Sequence, residues 1–150
     1  MTFSARAYYL GGHRDQPAVL HGAEDVDTLV DALLAQPFSN SVATVYIVER
    51  PRVNGLPDHE LAVAVDSEGD VGGLWYLNSA AGTWYTRGVR GERDEVFYCH
   101  MGEERDFPAD SEISIDLLRQ GVREFLASGG ERPTCVRWQS AGSTVETAAA

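Results

Sequence analysis

Cysteine, histidine and carboxylates bind metals, attack electrophiles and move protons, and they gather in one stretch, YCHMGEERDFPADSE, residues 98–112. Cys99 adjoins His100, and Glu103, Glu104 and Asp106 follow closely. That composition suits a metal site, a catalytic cluster, or an acidic face offered to another protein. Zinc sites space their Cys and His ligands by two or more residues. Cys99 and His100 are neighbours on an expected strand, so their side chains leave on opposite faces and one ion does not easily take both. His13, His21 and His59 fall in loops or at a strand start without ligand spacing, and neither C-x-x-C nor H-E-x-x-H occurs. No metal and no cofactor is expected.

A cysteine nucleophile needs an activating histidine and an orienting group. Cys99 and Cys135 lie in apolar stretches beside Tyr98 and Val136, which reads as a pair of small core residues, reduced in a cytoplasmic protein. G-x-S-x-G, the P-loop and G-x-G-x-x-G are missing from the sequence. Acid–base work by carboxylates requires one of them to be buried with a raised pKa. Glu103, Glu104 and Asp106 stand next to Gly102 and Arg105 in what reads as a solvated polar turn. The expectation is a protein without catalysis; a small Cys/His hydrolase is the rival enzyme reading.

The chain of 150 residues is the size of one domain and buries roughly 70% of its unfolded surface without a staple. Its net charge is −11, from 23 acidic and 12 basic residues. Every basic residue is arginine, which fits a GC-rich genome. Such acidity opposes direct nucleic-acid binding, where cations must displace phosphate counterions. It suits a basic partner, whose approach the field accelerates. No apolar run nears the ~20 residues of a membrane span, and MTFSARAYYLGG lacks the charged start and apolar core of a secretion signal. A cytoplasmic location is expected.

The elements that must position these residues follow from periodicity. Residues 3–10 and 41–50 read as strands, the second rich in β-branched residues. Residues 23–37 are the clearest helix: Val26, Leu29, Val30, Leu33 and Leu34 form one stripe, acids occupy the first turn, and Pro37 ends it. Asn54-Gly55 marks a turn, and HELAVAVD, residues 59–66, alternates apolar and polar. Residues 71–78, 82–88 and 95–101 make further strands joined by short turns, which favours antiparallel pairing. A second helix spans residues 114–128, with Ile115, Leu118, Val122, Phe125 and Leu126 on one face and Gly129-Gly130 after it. Residues 134–139 form a last strand, and residues 140–150 a flexible tail. The fold class is α+β: a mainly antiparallel sheet of about six or seven strands carrying two amphipathic helices, in a single domain over residues 1–139.

Trp75-Tyr76, Trp84-Tyr85 and Phe97-Tyr98 occur in three consecutive expected strands. Adjacent residues face opposite ways, so both sheet faces carry rings, and two helices cover one face better than both. One aromatic row is then partly open as an interface, unless loops, the chain ends or a second copy cover it. Acidic turns flank these strands: Asp66, Glu68 and Asp70; Glu92, Asp94 and Glu95; Glu103, Glu104 and Asp106.

GLPDHELAVAVD (55–66), GTWYTRG (82–88), the stretch from residue 98 to 126 and SGGERPTCVRWQ (128–139) resemble the Imm1 family of immunity proteins, which accompany polymorphic toxins, especially in actinobacteria. The resemblance runs over most of residues 5–139 and rests on the Trp strand, the Phe107-Pro108-Ala109 turn, the second helix and the terminal Pro133–Trp138 spacing. It implies a small cytoplasmic α+β protein without catalysis that binds a cognate toxin domain and blocks it. It implies a nucleic-acid deaminase as the first candidate for that toxin. Trp84 and Trp138 are then expected in the core or at its rim, and Phe107-Pro108 at the turn into the second helix. The candidate contacts with a basic toxin are Glu103, Glu104, Asp106, Trp75, Tyr85, Glu68 and Asp70. The rival is a regulatory module that dimerises through the aromatic face. Neither direct nucleic-acid nor membrane binding is expected.

Overall fold

The apolar stripes of two helices set the architecture. In the computed structural model, which describes residues 2–91 and 95–141, α1 spans Ala23–Leu34 and α2 spans Ile115–Ser128. Val26, Leu29, Val30 and Leu33 of α1 are buried, as are Leu118, Val122, Phe125 and Leu126 of α2. Ser114 caps α2 by accepting from the Leu117 amide, and Gly129, in the left-handed region at φ 74°, ends it. Arg119 and Arg123 of α2 reach Asp27 of α1, and Arg119 also reaches Asp31, joining the helices across their solvent side.

Both helices lie on one face of an antiparallel sheet. Its strands are β1 (Ala5–Tyr8), β2 (Ala18–Leu20), β3 (Val42–Ile47), β6 (His59–Asp66), β7 (Val71–Asn78), β8 (Gly82–Thr86), β11 (Ile113–Ser114) and β12 (Trp138–Ser140). The order is β12-β8-β7-β6-β3-β1-β2, with short β11 paired to the start of β7. β4 (Arg52–Val53) and β5 (Leu56–Pro57) make a small hairpin around Asn54-Gly55, both at positive φ, as a tight hairpin turn requires. The main core joins the helix stripes to Leu61, Val63 and Val65 of β6 and to Leu74 and Tyr76 of β7, with Trp84 and Trp138 at its rim. No helix among the described residues is long and apolar enough to cross a membrane.

The α+β class and the antiparallel sheet agree with the sequence, but two expected elements differ. The strand near residue 96 leaves the main sheet. β9 (Val96–His100) pairs with β10 (Glu103–Phe107) in a separate hairpin. Glu103, Glu104 and Asp106 therefore lie on a strand rather than in a turn. The turn is Met101-Gly102, at φ 50° and 89°, and two successive left-handed residues reverse the chain without spending the acids. The expected strand over residues 134–139 shrinks to Trp138–Ser140. The segment before it is held irregular by Glu124 of α2, which accepts from the Thr134 amide and hydroxyl and from the Cys135 amide. The cysteines are not core residues: Cys99 is half-buried and Cys135 exposed, and both are free thiols. Of the tail expected from residue 140, residues 142–150 lie outside the described residues.

Candidate functional site

The sheet face opposite the helices is built by period-two alternation. In β1, Ala5 and Ala7 enter the main core, so Arg6 and Tyr8 face the other way. In β3, Ala43, Val45 and Ile47 face the helices, leaving Val42, Thr44 and Tyr46 opposite. Register then aligns rows across the strands. Tyr8 pairs with Thr44, Thr44 with Ala62, Ala62 with Trp75 and Trp75 with Tyr85. Arg6 stands opposite Tyr46 in the neighbouring row.

The β9–β10 hairpin covers part of this face. Val96, Tyr98 and Phe107 form a second small core with Val42, Ala62 and Ala64, and Trp75 and Tyr85 pack against it. Phe107 meets Tyr85 and Tyr98 edge-on, each with ring centroids 5.1 Å apart. Gly73 lets Phe107 approach, since a Cβ there would stand 3.2 Å from the Phe107 ring. Ser39 and Ser41 bind the hairpin from the side: Ser41 N donates to Cys99 O at 2.8 Å and Gly102 N to Ser39 O at 2.9 Å. After Phe107, Ser111 N donates to Pro108 O at 3.1 Å, closing the expected turn toward α2. Part of the aromatic face is thus closed by the protein's own hairpin. Tyr98 is fully buried as its plug, and Phe97 packs on Phe38.

The hairpin also carries charge onto the face. Arg105 extends over Trp75, and its Nη1 lies 3.2 Å from Glu60 Oε2. The other Glu60 oxygen accepts from Tyr46 Oη at 2.5 Å. Burial and then the Glu60 charge raise the Tyr46 pKa, so the phenol stays a neutral donor. Alternation places Glu104 and Asp106 on the exposed side of β10 and directs Glu103 toward the sheet.

A shallow cleft of about 300 Å³ is lined by Trp75, Tyr85, Arg105, Asp106 and Phe107. A larger cavity of about 660 Å³ lies beyond the hairpin turn, where Arg6, Tyr8, Arg14, Tyr46, Arg52 and His100 contribute to its walls along with Glu103. The structure therefore brings Trp75, Tyr85 and Asp106 together and puts Glu103 at the neighbouring cavity. Glu104 is exposed between them on the same strand. Glu68 and Asp70 line neither cleft. They sit in the β6–β7 turn, where Asp66 Oδ1 accepts from the Glu68 and Gly69 amides and Asp70 takes φ 54°. Of the remaining acidic turn, Glu92 and Asp94 lie outside the described residues, and Glu95 is exposed just ahead of β9.

Cys99 and His100 make separate contacts. His100 Nε2 lies 3.2 Å from the Tyr8 carbonyl oxygen. The Cys99 thiol pKa is raised by burial and by Glu104 across the hairpin, which opposes the thiolate. Among the described residues no group of three or more His, Cys, Asp or Glu side chains could hold a metal ion. Arg6, Arg14, Tyr8, Tyr46 and Arg52 do not stand out in the sequence as site residues. For Arg6, Tyr8 and Tyr46 the signal is the polar member of an alternating pair, as in Ala5-Arg6-Ala7-Tyr8; Arg14 and Arg52, in a 3-10 turn and an exposed hairpin strand, carry none. Convergence of these residues needs β1 beside β3, a pairing across some forty residues of chain.

The family model described as Immunity protein Imm1 matches residues 14–140, most of the chain. No curated protein matches it.

Proposed function

We propose that this chain, which belongs to the Imm1 family of immunity proteins, neutralises a cognate toxin by binding the toxin domain and occluding its working surface. The family match over residues 14–140 carries the reading. Occlusion is the mechanism because the chemistry-bearing residues of the sequence are dispersed: Cys99 and His100 make separate contacts, and Cys135 lies exposed in a segment held by Glu124.

The toxin is a nucleic-acid-modifying enzyme, with a deaminase as first candidate, and the meeting place is cytoplasmic. A toxin that acts on nucleic acid presents a cationic groove, and a protein of net charge −11 is drawn to it. Glu104 and Asp106 on the exposed side of β10 supply the negative charge, and Trp75 and Tyr85, which share a cleft with Asp106, supply rings of the kind that anchor interfaces. Glu103 extends this patch toward the cavity, while Glu68 and Asp70 add to the long-range field.

Co-expression with the toxin domain encoded beside this chain tests the proposal. Restored growth of a bacterial host and a stable complex that weakens with salt are expected. Deamination of single-stranded nucleic acid by the purified toxin should fall to background at stoichiometric amounts of this chain. Undiminished toxicity with every adjacent toxin domain, and no complex on size exclusion, would overturn it.

A further inference from the structure

The walls of the 660 Å³ cavity have the wrong sign for so acidic a protein. Arg6, Arg14, Arg50 and Arg52 line it together with His59 and His100, and Glu103 is the carboxylate among the lining residues. Outside the cavity only some arginines are matched to carboxylates: Arg105, Arg119 and Arg123 are, whereas Arg132 lies over the Trp84 ring and Arg87 and Arg137 have no ion pair among the described residues. Within it, Arg50 binds Asp58 in a two-pronged pair, with Nε and Nη2 both at 3.1 Å. Arg6, Arg14 and Arg52 have no ion-pair partner among the described residues; Arg52 Nη1 donates to the Gly55 carbonyl at 3.1 Å. Carboxylates outnumber arginines almost two to one in this chain, 23 to 12, so the cations gathered here are not left over for want of acids.

The floor is aromatic. Tyr8 and Tyr46 meet edge-on with centroids 5.9 Å apart, and the Tyr46 hydroxyl is fixed by Glu60. One wall is the β9–β10 turn with His100, Met101 and Glu103, and the other is the small β4–β5 hairpin with Arg52 and Pro57. Arginine and tyrosine in a walled recess are the residue types that dominate binding energy in protein interfaces, and the guanidinium fork matches a carboxylate in two-pronged geometry.

We propose that this cavity receives an acidic projection of the toxin, one or more Asp or Glu side chains that pair with Arg6, Arg14 and Arg52 of its lining. This rests on the neutralisation reading above and deepens it. The complex then joins two patches of opposite sign on one sheet face. The acids of β10 meet the toxin's cationic groove, and the arginine cavity meets a carboxylate beside that groove. A uniformly acidic face would slide along a cationic surface. Adjacent patches of opposite sign fix orientation and register and reject cationic proteins that lack the acidic projection.

The test measures toxin binding by the full chain and by an Arg6→Glu/Arg14→Glu double variant, with Arg52→Ala as a second, gentler variant that keeps the hairpin backbone. Circular dichroism and melting establish that each is folded. The double variant should bind on the order of 100-fold more weakly. An Asp or Glu→Arg change on the toxin should restore much of that loss, since close charge pairs at interfaces are strongly coupled. Folded variants that bind within twofold of the wild type would overturn the cavity proposal and leave neutralisation standing. A wild-type chain that binds no adjacent toxin would overturn both. Titration of the free chain with citrate and inorganic phosphate forms the last arm. Tight binding of either ion that leaves toxin affinity unchanged would assign the cavity to a free anion and overturn the proposal.

Discussion

The guanidinium carbon of Arg105 lies 5.4 Å from the centroid of the Trp75 ring, joining the β9–β10 hairpin to the sheet face that the helices leave free. The same guanidinium pairs with Glu60 while it is about one-third exposed. A partly solvated stack contributes about 0.5–1 kcal/mol, and a screened ion pair about as much or less. Arg105→Ala should therefore cost about 0.5–2 kcal/mol in urea unfolding and alter the Trp75 emission. Arg105→Lys should recover only the charge, because an ammonium does not lie flat on the indole. Unchanged stability in Arg105→Ala would mean that Phe107 and Tyr98 hold the hairpin by themselves.

Gly72 and Gly121 should respond differently to alanine. A Cβ on Gly72 would overlap the Ala64 backbone carbonyl on the adjacent strand and approach Leu118 Cδ1 to 2.7 Å. Backbone in the middle of a sheet cannot yield, so Gly72→Ala should cost about 3 kcal/mol. A Cβ on Gly121 would meet the end of the Leu74 side chain at 2.9 Å. Alanine gains about 1 kcal/mol of helix propensity there, which offsets much of the crowding. Chemical denaturation of both variants should place Gly72→Ala far below Gly121→Ala.

Stability should fall as pH drops from 7 toward 5, because His59 is buried neutral. Its Nε2 accepts from the Ile47 amide at 2.7 Å, which requires an unprotonated nitrogen, and its Nδ1 lies 2.8 Å from Asp58 Oδ1. Burial holds its pKa below the ordinary 6.5, against the opposite pull of Asp58. Below pH 6.5 the unfolded chain takes a proton that the folded chain refuses, so unfolding becomes easier as acid is added. The slope approaches at most about 1.4 kcal/mol per pH unit from this group. His13, also lowered by burial, acts in the same direction. The hydrogen-bonded carboxylates Asp58 and Glu124, whose pKa values are lowered, act only in more acid solution. His59→Gln should be less stable at pH 7 and show a flatter slope. An equal slope in that variant would assign the dependence elsewhere.

Glu124 should prove essential to the segment before β12. Burial pushes its pKa up, but the donors from Thr134 and Cys135 outweigh that and leave it below the ordinary range. Glu124→Gln replaces one accepting oxygen with a donor and leaves a backbone amide unmatched, at about 1–2 kcal/mol. Cys135, already exposed, should react faster with a thiol reagent in the variant as the segment loosens. Identical labelling rates would show that Trp138 Nε1, which donates to Pro133 O at 2.8 Å, is sufficient to hold it.

Much of this molecule is local and therefore legible in one dimension. The stripes Val26–Leu33 and Leu118–Leu126, the Ser114 cap and the Gly129 stop are set by spacing within a few residues, and they lie where periodicity puts them. The alternation of HELAVAVD likewise fixed which side chains of β6 face the helices. The family pattern was legible too, because it resides in short stretches read in order. What the sequence could not decide was which strands pair. Val96–His100 has the composition of a sheet strand, yet it folds back on Glu103–Phe107 and becomes a lid, with Tyr98 and Phe107 packed against Val42, Ala62 and Ala64 in a second small core. Arg6, Arg14 and Arg52 are far apart in the chain and unremarkable one by one. They become a cationic cavity in an acidic protein only when β1 is laid beside β3 and two hairpins rise as its walls. Charge at a site is a sum over neighbours in space, and those neighbours are chosen by packing.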